Sequence, residues 1–142
     1  MGLDMYLMRA NREEADGWDN LVTSEKTASM DESPWYEVCY WRKANQIRQW
    51  FVDNCDYPVG GNCEEVEVTK EDLENLVETC RKVLENPALA NELLPRSDGF
   101  FFGSSEYDEW YFEQLEDTVN GCEDVIRSTN WEKEKVVYSD WW

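Results

Sequence analysis

The sequence predicts an α+β fold: a small, mainly antiparallel sheet of about four short strands packed against three main helices, in a single domain spanning residues 1–142. Three observations carry this. Apolar residues recur at spacings of three and four in three stretches, and four short segments are instead rich in aromatic and β-branched residues. They follow in the order βxβα-βα-αβ, and 42% hydrophobic with 14% aromatic residues supply apolar surface for one core.

Residues 3–9 (LDMYLMR) are short, apolar and aromatic, which predicts a first strand. The polar stretch at about 10–34, with Gly17, Ser24, Ser29, Ser33 and Pro34, predicts a long loop or insertion, a length that in a compact domain marks a functional or mobile segment. Residues 35–40 (WYEVCY) predict a second strand feeding directly into a helix over 41–55, where Ala44, Ile47, Phe51 and Cys55 draw one apolar stripe. Pro58 and Gly60-Gly61 then mark a turn, and the partial alternation of EEVEV at 64–68 predicts a half-exposed strand. Thr69 with Asp72 three residues on has the form of a capping box, opening a helix with Leu73, Leu76, Val77, Cys80, Val83 and Leu84 on its core face. Asn86-Pro87 ends it, and a further short helical turn reaches Leu94. The segment 97–104 (SDGFFFGS) has no helical period, so its phenylalanines are expected to anchor a loop. Ser105, with Asp108, offers a cap for a helix over 106–127 that buries Tyr111, Phe112, Leu115, Val119, Cys122 and Ile126. Residues 132–138 (EKEKVVY) predict the last strand.

Charge narrows the function classes. Thirty-two Asp and Glu against 13 Lys and Arg, with no histidine, give a net charge of −19. Such a surface repels nucleic acid and anionic membrane and attracts basic partners. The dense aromatics separate it from disordered acidic tails, which lack large apolar groups. Five cysteines, odd in number and without a CxxC pair, support neither a disulfide framework nor structural zinc, and the expected setting is a reducing cytoplasm. No apolar run approaches the roughly 20 residues that cross a bilayer.

Two surfaces compete for the function. On the helix over 106–127, Glu109, Glu113 and Glu116 share one face, flanked by Glu106 and Asp117, and no Lys or Arg occurs between Arg96 and Arg127. Carboxylates at i and i+4 stand roughly 6 Å apart, close to the phosphate spacing of one nucleic-acid strand, so such a stripe can imitate a polynucleotide. Trp110 falls outside the apolar stripe, where an exposed indole would anchor an interface. A solvated helix face is the plainer reading. The second surface is cationic: Arg42, Asn45, Gln46 and Gln49 on one side of the helix over 41–55, Lys43 and Trp50 on another, able to clasp a phosphate or carboxylate and stack a planar ring. Pairing of Arg42 and Lys43 with surrounding carboxylates is the plainer reading here. Arg48 lies within the apolar sector and, if buried, must be paired. Ser104 and Ser105 before the third helix, with Tyr107 and Asp108, complete this alternative ligand set, although the acids of that first turn favour simple capping over anion binding. Without histidine, acid–base chemistry would fall to carboxylates, Tyr, Lys or Cys, and no spacing selects a catalytic residue, a metal or a cofactor.

Three blocks, MGLDMYL, YWRKANQIRQWF and GFFFGSSEYDEWYFEQLED, together resemble a family of small uncharacterised proteins encoded by bacteriophages and by prophage-bearing or gut bacteria. The resemblance covers most of 1–8 and 38–128 and carries over no catalytic residue. It implies a host-interaction protein: an acidic inhibitor or nucleic-acid-mimicking decoy that binds a basic host protein, such as a nucleic-acid-handling or defence protein, in the host cytoplasm. The alternative expectation is a protein that binds or sequesters a small anionic or nucleotide-like ligand, or an enzyme whose signature is weak.

Overall fold

The computed structural model describes residues 2–21, 33–58, 60–61, 64–96 and 107–142. The fold is α+β, built on one antiparallel four-stranded sheet: β1 (Asp4–Asn11), β2 (Tyr36–Arg42), β3 (Glu65–Val68) and β4 (Glu134–Trp141), in the order β2-β1-β4-β3. The first and last strands are therefore neighbours at the centre. Their register runs unbroken from Asp4 opposite Trp141 to Asn11 opposite Glu134, which is why β4 extends beyond the expected 132–138. On the other side of β1 the register shifts between Leu7 and Met8, leaving Val38 of β2 as the extra residue of a bulge.

Alternation along these strands gives the sheet two unlike faces. Leu3, Met5 and Leu7 join Trp41, Val68, Val136 and Tyr138 in the main core. Against that face lie three helices: α2 (Asn45–Asn54), α3 (Lys70–Glu85) and α5 (Glu109–Ser128). The opposite face carries Asp4, Tyr6, Met8, Tyr40, Ser139 and Trp141. The short helix α1 (Arg12–Asp19) covers one end of it, where Ala10, Ala15 and Val137 are buried apart from the main core. A 3-10 turn (Pro87–Leu89) and α4 (Ala90–Leu93) follow α3.

Local chemistry explains most boundaries. At α3 the Thr69 hydroxyl accepts from the Asp72 amide (3.1 Å) while the Asp72 carboxylate accepts from the Thr69 amide (2.9 Å), the reciprocal box the sequence predicts. Helix α1 replaces part of the loop expected over 10–34: the Asn11 side chain accepts from the amides of Glu13 and Glu14, and those two acids favour the helix N-terminus. The helix expected over 41–55 begins only at Asn45, because β2 runs on to Arg42 and Lys43 makes a left-handed turn (φ 56°) tied to Leu3 by a 2.7 Å backbone bond. Arg42 and Lys43 consequently stand outside the helix. At α5 the Asp108 carboxylate accepts from the Tyr111 amide at 3.1 Å, so the helix starts at Glu109 rather than 106. The expected cap at Ser105 lies outside the described residues, as does the FFF loop.

Cys55, Cys80 and Cys122 are buried and Cys39 half-buried, all as free thiols on or beside the core. Burial pushes the thiols of Cys39, Cys55 and Cys80 up from about 9 to about 12. The folded chain thus holds these protons more tightly than the unfolded one. The stability they confer is complete below pH 9 and is lost as pH rises toward 12. Urea unfolding followed by tryptophan fluorescence should give a constant midpoint from pH 7 to about 8.5 and a falling one above it.

Candidate functional site

On α5 the side chains of Glu109, Glu113, Glu116 and Asp117 are all exposed, and Trp110 among them is 58% exposed, while Tyr111, Leu115, Thr118 and Cys122 on the opposite side are buried. The helix therefore presents one carboxylate face bearing a single indole. Glu106 lies outside the described residues. Between this face and β2 runs a cleft of about 140 Å3, lined by Tyr40, Arg42, Trp110, Glu113, Gln114 and Asp117 among others. Arg42 thus stands at the mouth of an acidic cleft rather than on a cationic helix. Lys43 is exposed beside it, its aliphatic stem against Gly2. A wider groove of about 480 Å3 between α3 and α5 is lined by Glu74, Glu78, Arg81, Glu123 and Arg127, and its cations are already engaged: Arg81 with Glu123, and Arg127 with Asp124.

The alternative ligand set is divided by α2. Two residues along a helix turn through about 200°, so Gln46 and Arg48 project to opposite sides. Arg48 is 3% exposed, and its Nε donates to the fully buried Asp140 carboxylate at 2.9 Å, while Nη2 donates to the Gly61 carbonyl at 3.1 Å. The same carboxylate accepts from the hydroxyls of Tyr57 (2.5 Å) and Tyr138 (2.7 Å), and Arg48 lies over the rings of Tyr57 and Trp142. Burial, together with the adjacent Asp140, holds the Tyr57 and Tyr138 hydroxyls well above their ordinary range, so both remain donors. The pairing that a buried Arg48 requires is met inside the protein.

On the other side of α2, Gln46 donates to Gln114 (2.9 Å) and accepts from Arg96 (3.2 Å), and Gln114 donates to the Arg42 carbonyl (3.3 Å). The Tyr107 hydroxyl accepts from the Arg96 amide (3.1 Å) and donates to Asn91 (2.8 Å). Arg96 lies over the Tyr111 ring, and burial lowers its pKa, partly offset by nearby Asp108. The structure so joins Gln46, Tyr107 and, through Arg96, Asp108 into one region. Asn45 is buried, and Trp50 is buried edge-on against Phe51 (5.3 Å). Ser104 and Ser105 lie outside the described residues. Arg96 and Gln114 were not among the sequence candidates. Nothing local marks Arg96, a lone cation after Pro95, and Gln114 is visible only as a polar residue between the apolar positions Tyr111 and Leu115.

Among the described residues there is no cluster of three or more Cys, Asp or Glu able to hold a metal, and no helix long and apolar enough to cross a membrane. Comparison of the chain with protein-family models, curated proteins and solved structures finds no match.

Arg48→Met would strand the Asp140 carboxylate in the core, and an uncompensated buried charge costs about 3–5 kcal/mol. Chemical unfolding should show a loss of that size. Adding Asp140→Asn, which removes the charge and keeps a carbonyl acceptor for the tyrosine hydroxyls, should restore part of it.

Proposed function

We propose that this chain is a binding protein that engages a basic surface of a partner protein through the carboxylate face of α5, with Trp110 as the anchor. The observation that carries the reading is an indole 58% exposed among the exposed carboxylates of Glu109, Glu113, Glu116 and Asp117. A ring more than half in water on a helix whose other side is packed leaves much of its apolar surface unused by the fold, and tryptophan ringed by polar groups is the usual form of an interface anchor. The carboxylates supply the long-range attraction. Their roughly 6 Å steps along the helix match the phosphate spacing that a nucleic-acid-handling protein is built to grip. The resemblance of the MGLDMYL, YWRKANQIRQWF and GFFFGSSEYDEWYFEQLED blocks to phage-type proteins favours a host protein as the target, bound as a decoy or inhibitor.

The small-ligand alternative has less support. Of its donors, Gln46 is bonded to Gln114 and Arg96, and Arg48 to Asp140 and Gly61, so a small anion would have to displace protein acceptors already in good geometry.

Exposed charges are screened over about 10 Å at 0.1 M salt, so the complex should weaken steeply as salt is raised. The tagged chain should retain a basic nucleic-acid-handling protein from bacterial lysate in about 0.1 M salt and release it at about 0.5 M. The pair Glu109→Lys and Glu113→Lys, on exposed positions, should leave the circular dichroism spectrum unchanged and weaken retention roughly tenfold or more. Equal retention by the charge-reversed variant would overturn the reading.

A further inference from the structure

The part of the outer sheet face that α1 leaves open carries an organised aromatic surface that the α5 reading does not use. The register sets Tyr6 of β1 directly opposite Tyr40 of β2, and Trp141 of β4 opposite Asp4, one step along. The three rings consequently form a row: Tyr6 and Tyr40 centroids are 5.3 Å apart, Tyr6 and Trp141 6.3 Å, both tilted. Tyr40 is 46% and Trp141 56% exposed, far more than the core-facing aromatics of the same strands. An open cleft of about 310 Å3 lies along the row, lined by Tyr6, Met8, Glu37, Glu65, Ser139 and Trp141.

Charge selects what such a surface can hold. Glu37 on β2 and Glu65 on β3 rim the cleft from the two edge strands, and the Asp4 carboxylate sits at the row itself, accepting from the Tyr40 hydroxyl at 2.5 Å. Glu67, on the same face, is already held by Arg12 and Lys135 at the end covered by α1. Arg42, opposite Asp4, stands at the β2 margin. Aromatic faces under negative potential attract cations, whose charge the ring quadrupole and the carboxylates stabilise together. The same rim repels the phosphates of a nucleic acid that would otherwise stack its bases on the row, and it repels a second copy of this −19 chain.

We propose that this sheet face is a docking site for an extended, arginine- or lysine-bearing segment of a partner protein. Cationic side chains lie over Tyr6 and Trp141, drawn there by the negative rim to which Glu37, Glu65 and Asp4 contribute. The dimensions agree. Three strand spacings separate the edge strands by roughly 14 Å, and an extended peptide places side chains i and i+4 about 13 Å apart on one side, with i+2 between them over the rings.

The test is a titration of the 15N-labelled full chain with an acetylated, amidated Gly-Arg-Gly-Arg-Gly-Arg-Gly peptide in low salt, followed by amide and indole NMR shifts. Shifts should concentrate on Tyr6, Met8, Tyr40, Ser139 and Trp141, and the glutamine version of the peptide should produce none. Trp141→Ala, at an exposed position, should weaken binding roughly fivefold. The pair Glu37→Gln and Glu65→Gln should weaken it and flatten its salt dependence, which keeps the test decisive if the tryptophan variant fails to fold. Shifts confined to Glu109–Asp117 would overturn the proposal and leave the α5 reading standing. Sheet-face shifts produced by oligothymidylate, or by raising the concentration of the chain alone, would also overturn it in favour of a nucleic acid or a second copy.

Discussion

The buried Asp140 carboxylate is the interaction on which the rest of the core is arranged. It receives Arg48 from α2, Tyr57 from the segment after it and Tyr138 from its own strand. Each partner then fixes something else. Tyr138 stacks on Phe51 with centroids 4.0 Å apart, locking α2 against β4. Arg48 reaches the Gly61 carbonyl, which also accepts from the Trp142 indole at 2.8 Å, so the turn after α2 and the end of the chain close over the same ion pair. Gly61 admits no side chain there: a Cβ would sit 2.8 Å from the Tyr57 ring and 2.9 Å from the Pro58 carbonyl. Ion pairs this deep add little net stability over apolar packing, because desolvation offsets the attraction, but losing one partner leaves the other uncompensated, so the groups around Asp140 are held together. Here they fix the position of β4, and β4 fixes the sheet.

That dependence extends to both proposed surfaces. Because β4 pairs with β1 along its whole length, its alternation places Tyr138 and Asp140 inside and Ser139 and Trp141 outside, and the β1 register then lays Tyr6 beside Tyr40. A slip of one residue would exchange the two faces, burying Trp141 and exposing the ion pair. Core energetics therefore specify the aromatic row as strictly as they specify the core itself. The α5 face follows from the same packing: Tyr111, Leu115, Thr118 and Cys122 face inward, so Glu109, Glu113 and Glu116 turn outward.

The order of elements and most of the core were legible in the sequence, because helical stripes and the Thr69–Asp72 cap are local signals. The Ala44, Ile47, Phe51 stripe and the Leu73 to Val83 stripe are buried as their spacing requires. What escaped depended on partners distant in sequence. Arg42 and Lys43 looked helical from composition, yet a strand pairing with β1 holds Arg42 and a left-handed turn holds Lys43. Arg48 was recognisable as a charge in an apolar sector, but its partner is 92 residues away. The aromatic row is invisible to any window along the chain, since its members come from three strands. Tyr6, Tyr40 and Trp141 each look like ordinary strand aromatics until the register is known. On α5 the carboxylate face was readable because one helix supplies all of it.

The placement of the basic residues explains how so acidic a chain keeps the two proposed surfaces anionic. Of the 13 Lys and Arg, Arg48 and Arg96 are buried in polar networks, and Arg9 is spent on Tyr36, Ser128, Thr129 and Glu134 where β1 meets the end of α5. Arg12 and Lys135 converge on Glu67, while Arg81, Lys82 and Arg127 pair with Glu123, Glu78 and Asp124 along α3 and the far half of α5. Cations are thus used where elements must be joined. Near the first half of α5 and the open sheet face the exposed cations are Arg42 and Lys43, at the β2 edge between them. Arg96 is buried against Tyr111, and Arg12 and Lys135 are held on Glu67 at the α1 end of the sheet face. Carboxylates outnumber cations in both regions, and the potentials of neighbouring carboxylates add, so both present a negative field to an approaching partner. They are also where Trp110, Tyr40 and Trp141 stand in solvent. Attraction at long range and aromatic contact at short range therefore coincide on the same two surfaces.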